Sequence, residues 1–139
     1  MDRLEHMSCV NCEAGEPRLT ETEVAWYQPQ VPGWTIVMQN NCQSLERVFR
    51  FVNFREALAF TNRIGWWAED AGHYPALLTE WGHVTVTWWT PKVKGLHRND
   101  FIMAARTDKV YQELVGPVGM VVATSSWGGK QKNRSLRGS

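Results

Sequence analysis

Glu69, His73, Tyr74 and Pro75 lie within one short stretch, and Asp100 follows downstream. A carboxylate and an imidazole four residues apart fall on one face of a helix or at its exit, so Glu69 and His73 could share a pocket edge. Pro75 fixes its own φ and pushes Tyr74 toward extended backbone, which would hold the His73–Tyr74 pair rigidly. Histidine gives or takes a proton near neutral pH, whereas a tyrosine phenol, titrating near 10, can donate a hydrogen bond but is a poor base. Spacing alone also fits a solvated helix glutamate and a loop histidine. Asp100 likewise fits an acidic residue in the first turn of a helix, where the macrodipole favours it. A second candidate is Cys9-x-x-Cys12 with His6 nearby. A structural zinc needs four ligands and no second cysteine pair follows, so free thiols in a mobile arm are expected and no metal site is assigned.

The elements that must position these residues are readable from their boundaries. Thr20 and Glu23 have the spacing of a capping box, which starts a short helix that Pro29 and Pro32 end. Trp34–Gln39 and Ser44–Phe51 are β-branched and aromatic runs around an Asn40-Asn41 turn, a hairpin. Asn53 and Glu56 open a helix predicted over Phe54–Ala71, with Ala57, Phe60, Ile64 and Ala68 at helical spacing and Gly72 as its stop. Leu77–Trp81 and Val84–Trp89 flank a Gly82 turn, and a last helix is expected from Phe101 to Leu114. The order α-β-β-α-β-β-α implies an α+β, two-layer domain: a four-stranded antiparallel sheet covered by helices on one face. Residues 1–19 read as a flexible leader, 20–114 as the domain and 115–139 as a disordered Gly/Ser/basic tail.

Composition narrows the function. The chain has 139 residues and a net charge of +1, so it offers no broad basic face, and nucleic acid is not an expected partner. No apolar run approaches the ~20 residues of a membrane span, and the N-terminus lacks a secretory apolar core. With three cysteines, an odd number, the reading is a soluble, cytoplasmic protein. Eight tryptophans include the doublets Trp66-Trp67 and Trp88-Trp89, whose neighbours must point different ways, so part of this aromatic surface should meet a ligand or another subunit.

The run Glu69-x3-His73-Tyr74-Pro75, then Trp81, Lys94-Gly95-Leu96 and Asn99-Asp100 resembles the signature of the pterin-4a-carbinolamine dehydratases: an acidic residue, His-His-Pro, an aromatic, a later His and a final Asp. The text LLTEWGHVTVTWWT and GLHRNDFIMAARTD is similar to bacterial members, including those associated with phenylalanine hydroxylase. The likeness runs from about Thr20 to Asp108. It implies a hydro-lyase that dehydrates 4a-hydroxytetrahydropterin to quinonoid dihydropterin and so recycles the tetrahydrobiopterin-type cofactor of aromatic amino acid hydroxylases. Pterin is then the substrate, and no cofactor or metal is required. It also implies a homodimer or homotetramer and a functional link to a hydroxylase.

Carried over position by position, the resemblance makes His73, Tyr74 and Glu69 catalytic, with Glu69 orienting or tuning His73, and Pro75, Trp81 and Asp100 substrate-binding. The chain departs from the pattern at two places: Tyr74 replaces the second histidine and Pro91 the later one. His83 and His97 align with neither position and read as exposed turn or helix-cap residues. Reduced dehydratase activity is therefore expected. The alternative is a catalytically weakened pterin-binding or protein-interaction module, since animal members of the family also serve as dimerisation cofactors for a homeodomain transcription factor.

Overall fold

A computed structural model describes Leu4, residues 17–39 and residues 41–115. Cys9, Cys12, His6 and residues 116–139 of the tail lie outside the described residues. Helix α1 spans Glu21–Tyr27, and its capping box is formed: the Thr20 hydroxyl accepts from the Glu23 backbone while the Glu23 carboxylate accepts from the Thr20 amide. A single 3-10 turn carrying Pro29 follows. Strands β1 (Thr35–Gln39) and β2 (Cys42–Arg50) pair antiparallel, with Asn41 at φ 64° in the turn. Asparagine tolerates that left-handed backbone better than most side chains.

Helix α2 runs over Phe54–Ala71 as its caps predict. The Asn53 side chain accepts from the Glu56 amide, and Gly72, at φ 70°, ends the helix by donating back to Ala68 and Glu69 carbonyls. Strands β3 (Ala76–Glu80) and β4 (His83–Trp88) form the second hairpin around Gly82, whose φ of 85° suits glycine. β2 pairs with β4, giving the order β1-β2-β4-β3 and an all-antiparallel sheet. Helix α3 spans Arg98–Val115, beginning three residues ahead of the expected Phe101.

Strand alternation decides which face is buried. In register, Leu45 opposes Trp88 and Phe49 opposes Val84. These side chains share one core with Phe60, Ile64 and Ala68 of α2 and Phe101, Ile102 and Ala104 of α3. Both long helices therefore cover the same sheet face, as the sequence implied. Arg47 of β2 and Trp34 tie α3 down through Asp108, whose Oδ1 accepts from Arg47 at 2.8 Å and from Trp34 Nε1 at 2.9 Å. Burial pushes the Asp108 carboxyl up, against the Trp34 hydrogen bond and the Arg47 charge, which pull it down.

Parts of the stretch expected to be a flexible leader are tied to the domain. Leu4 is 1% exposed in the core, and its amide donates to Gln30 Oε1. The Leu19 amide donates to the Leu96 carbonyl, and Arg18 reaches the Lys94 carbonyl. Isolated leucines in a polar stretch carry no periodicity, so nothing local reveals that the core has room for them.

Candidate active site

Three elements converge on His73. The C-terminal end of α2 delivers it: Gly72 turns the chain out of the helix, and the His73 amide still donates to the Ala68 carbonyl. The end of β4 supplies Trp88, whose indole lies parallel to the imidazole at 6° with ring centroids 5.7 Å apart. The first turn of α3 supplies Asp100, whose Oδ1 is 2.7 Å from His73 Nε2. Asp100 is 0% exposed and the His73 side chain 11%. The pair is 27 residues apart in sequence and joins the two covering helices.

Asp100 is fully engaged. Its Oδ2 accepts from Thr90 Oγ1 at 2.8 Å and from the His97 backbone amide at 2.9 Å. The same contacts cap α3: the His97 amide meets a carboxylate three positions on, and His97 Nδ1 accepts from the Asn99 amide. His97 is thus the helix-cap residue expected, but buried, not exposed. Leu96 is buried beside it, and Thr90 and Gly95 bridge across the connecting turn. Trp88 is held on its other side as well. Its Nε1 donates to Thr107 Oγ1 at 3.1 Å, Thr107 in turn donates to the Met103 carbonyl, and Trp67 meets the Trp88 ring edge-on.

The remaining predicted residues are placed differently. The hydrogen bond that orients His73 comes from Asp100. Glu69 makes none with His73 among the described residues, and its carboxylate acts instead on Tyr74. The Glu69 charge raises the Tyr74 phenol above its usual value near 10, with desolvation and a hydrogen bond to Glu69 adding to the shift. Tyr74 is 57% exposed. Asp100, read from the resemblance as a substrate-binding residue, meets the Thr90 hydroxyl and the His97 amide through Oδ2 and His73 Nε2 through Oδ1. Pro75 is half-buried between Tyr74 and β3. Trp81 is 71% exposed at the far end of β3, and a five-residue strand puts about 16 Å between it and the His73 end. Pro91, in place of the later histidine, starts an exposed 3-10 turn directly after Thr90. His83 sits at the start of β4 and pairs with Glu80 at 2.7 Å. Trp88 and Thr90 are the site residues that sequence reading passed over; the alternation of Val84, Val86 and Trp88 toward the core was the available signal.

A cleft of about 830 Å³ between the α1 region and α3, lined by Trp26, Pro29, Arg47 and Asp108 among others, includes none of these residues. Among the described residues no cluster of three or more His, Cys, Asp or Glu could hold a metal ion, and no helix is long and apolar enough to cross a membrane.

The Glu69–Tyr74 contact makes a direct prediction. Glu69→Gln is expected to bring the Tyr74 phenol down toward its ordinary value near 10. Ultraviolet titration of tyrosinate, taken as the difference from the same variant carrying Tyr74→Phe, measures this. An unmoved Tyr74 would mean that Glu69 does not perturb it.

Residues 17–110 match the family model described as pterin 4 alpha carbinolamine dehydratase. A protein of Nitrosococcus oceani, provisionally named a pterin-4-alpha-carbinolamine dehydratase, is 54% identical over 110 residues, covering 79% of this chain and 97% of its own. A Syntrophotalea carbinolica protein with the same provisional name is 52% identical over 112 residues, covering 81% of this chain and 100% of its own. Among solved structures, a transcriptional coactivator/pterin dehydratase from Brucella melitensis superposes with a TM-score of 0.61 at 26% identity, covering 68% of this chain and 98% of its own. The matched span holds both the His73–Asp100 pair and the Trp88 and Thr90 that frame it, and the chain belongs to the pterin-4-alpha-carbinolamine dehydratase family.

Proposed function

We propose that the protein dehydrates 4a-hydroxytetrahydropterin to quinonoid dihydropterin, with His73 as the proton-transfer group. The observation that carries this reading is the 2.7 Å contact between His73 and a fully buried Asp100 in a chain of this family. In the reaction the C4a–O and N5–H bonds break, a C4a=N5 bond forms and water leaves. One imidazole can serve both transfers because they are sequential. As imidazolium, His73 gives its proton to the departing hydroxyl while the N5 lone pair closes the double bond. As neutral imidazole, it then takes the proton from N5, which restores the starting state. The Asp100 carboxylate holds the ring by its Nε2 side, and the Trp88 indole packs against its face. No cofactor is called for; the pterin is the substrate. A flat bicyclic substrate suits an aromatic-rich surface with few polar groups to orient it.

Recycling of an aromatic amino acid hydroxylase cofactor and assembly as a homodimer or homotetramer in the cytoplasm belong to the same proposal. They are supported by family membership and by the large exposed aromatics Trp66 and Trp81.

A second reading has its own observation. Pro91 supplies no side-chain proton, and Tyr74, solvent-facing with its phenol pushed up, cannot act as a base near neutral pH. That leaves one imidazole where the family pattern has three, which favours a pterin-binding or protein-interaction module. The Brucella melitensis protein, described as a transcriptional coactivator as well as a pterin dehydratase, supports the same reading. The test is turnover of enzymically generated 4a-hydroxytetrahydropterin alongside calorimetry with a reduced pterin analogue. Turnover above the spontaneous rate supports the enzyme. Binding without turnover supports the module, and neither one removes both.

A further inference from the structure

We infer that Thr90 and the His97 backbone amide, acting through Asp100, fix neutral His73 as its Nε2–H tautomer, so that Nδ1 is the nitrogen that exchanges protons with substrate, and that Thr90 is a positioning residue of the site. The inference concerns which atom of His73 reacts. It rests on the dehydratase reading only for its kinetic arm.

A carboxylate only accepts hydrogen bonds, and Asp100 has three groups within reach. Two of them are committed donors on Oδ2: the Thr90 hydroxyl at 2.8 Å and the His97 amide at 2.9 Å. They set the carboxylate plane and leave Oδ1 toward the ring, 2.7 Å from His73 Nε2. For that contact to be a hydrogen bond to a carboxylate, Nε2 must carry the proton. In the neutral ring the lone pair then lies on Nδ1. Trp88 covers one face of the imidazole, and Nδ1 has no hydrogen-bond partner among the described residues. In the cationic ring the second proton sits on Nδ1, so both transfers of the reaction use one atom.

The two donors on Oδ2 also dictate what an amide would do there. In Asp100→Asn the carbonyl oxygen must take the place that faces Thr90 and His97, because an amide NH2 there would meet two donors. The NH2 is then turned toward His73 Nε2, which has to accept, and the neutral ring moves its proton to Nδ1. A buried wrong tautomer is silent as a base at the substrate side.

Long-range proton–nitrogen correlation spectra of the full-length protein labelled with ¹⁵N-histidine, recorded above the ring's titration, read the tautomer directly, the His73 signals being identified by their loss in His73→Gln. The parent should show Nε2–H. A parent ring protonated at Nδ1 overturns the inference, whether or not the protein turns over pterin. Asp100→Asn should show Nδ1–H, and adding Thr90→Val should return part of the population to Nε2–H, because one of the donors that orient the amide is gone. An Asp100→Asn ring that stays Nε2–H, or a double variant identical to it, removes the role of Thr90. In the kinetic arm, Thr90→Val should lower kcat about tenfold, the scale of one hydrogen bond, with KM held and with Thr90→Ser restoring the rate. A valine variant as fast as the parent, or a serine variant as slow as valine, counts against Thr90. Should the parent show no turnover, the proposed function fails while the spectra still decide the tautomer.

Discussion

His73→Ala is expected to lower turnover of 4a-hydroxytetrahydropterin by ~10²–10⁴, the usual loss when a positioned acid–base group is removed. The expectation is this large because the site has little to fall back on. Tyr74 holds its proton more tightly than an ordinary tyrosine, because the Glu69 carboxylate lies beside it. Pro91 has no side-chain donor, and His83 and His97 are engaged elsewhere, with Glu80 and with the Asn99 amide. The ring is also packed on Trp88 and bonded to the buried Asp100, so its removal touches the core as well as the chemistry. Near-ultraviolet circular dichroism of the variant, recorded beside the assay, separates loss of the proton-transfer group from disturbed packing around Trp88 and Asp100. The informative comparison is Tyr74→Phe, expected to stay within a few-fold of the parent. If His73→Ala turns over as fast as the parent, or if Tyr74→Phe is the variant that abolishes turnover, the acid–base role belongs elsewhere.

What the chain made legible was mostly local. The Thr20–Glu23 box, the Asn53–Glu56 cap and the Gly72 stop are short-range hydrogen-bond patterns, and α1 and α2 begin and end where those residues allow. Alternation in β2 and β4 gave the buried face, and the turns at Asn41 and Gly82 gave the hairpins. The start of α3 was missed because its cap is unusual: an imidazole nitrogen and a carboxylate three residues on do the work more often done by a serine or threonine. The site was half legible. His73 stands out by type and by its position at a helix exit. Its partner does not, since spacing links Glu69 to His73 but cannot link His73 to a residue on another helix. Glu69 faces outward because it follows Ala68, which the α2 stripe buries, by one residue, or about 100° of helical rotation. Asp100 reaches His73 because α3 packs beside α2 over the same sheet face. That is a property of the assembled layers, and no window of sequence contains it.

Trp88→Ala should be the costliest single change at the site, about 3–5 kcal/mol of stability, in the range found when large buried aromatics are truncated. Trp88 is 0% exposed and opposes Leu45 across the β2–β4 ladder. Alanine would leave a void beneath His73, an edge of Trp67 without its partner ring, and the Thr107 hydroxyl without its indole donor. Thr107 still donates to Met103, so no buried donor is orphaned, and the cost is mainly cavity and lost burial. Trp88→Phe separates the contributions. It refills most of the volume and restores a stacking face, so it should cost roughly 1–2 kcal/mol for the hydrogen bond and residual space. Urea unfolding of the three proteins measures both steps. Turnover should follow packing, with the alanine variant losing far more than the phenylalanine one, because an imidazole without its stacking partner is held by the Asp100 contact alone. An alanine variant destabilised by less than about 1 kcal/mol would show that β4 and α3 can close over the gap. Full turnover in that variant would mean that Trp88 supports the fold without placing His73.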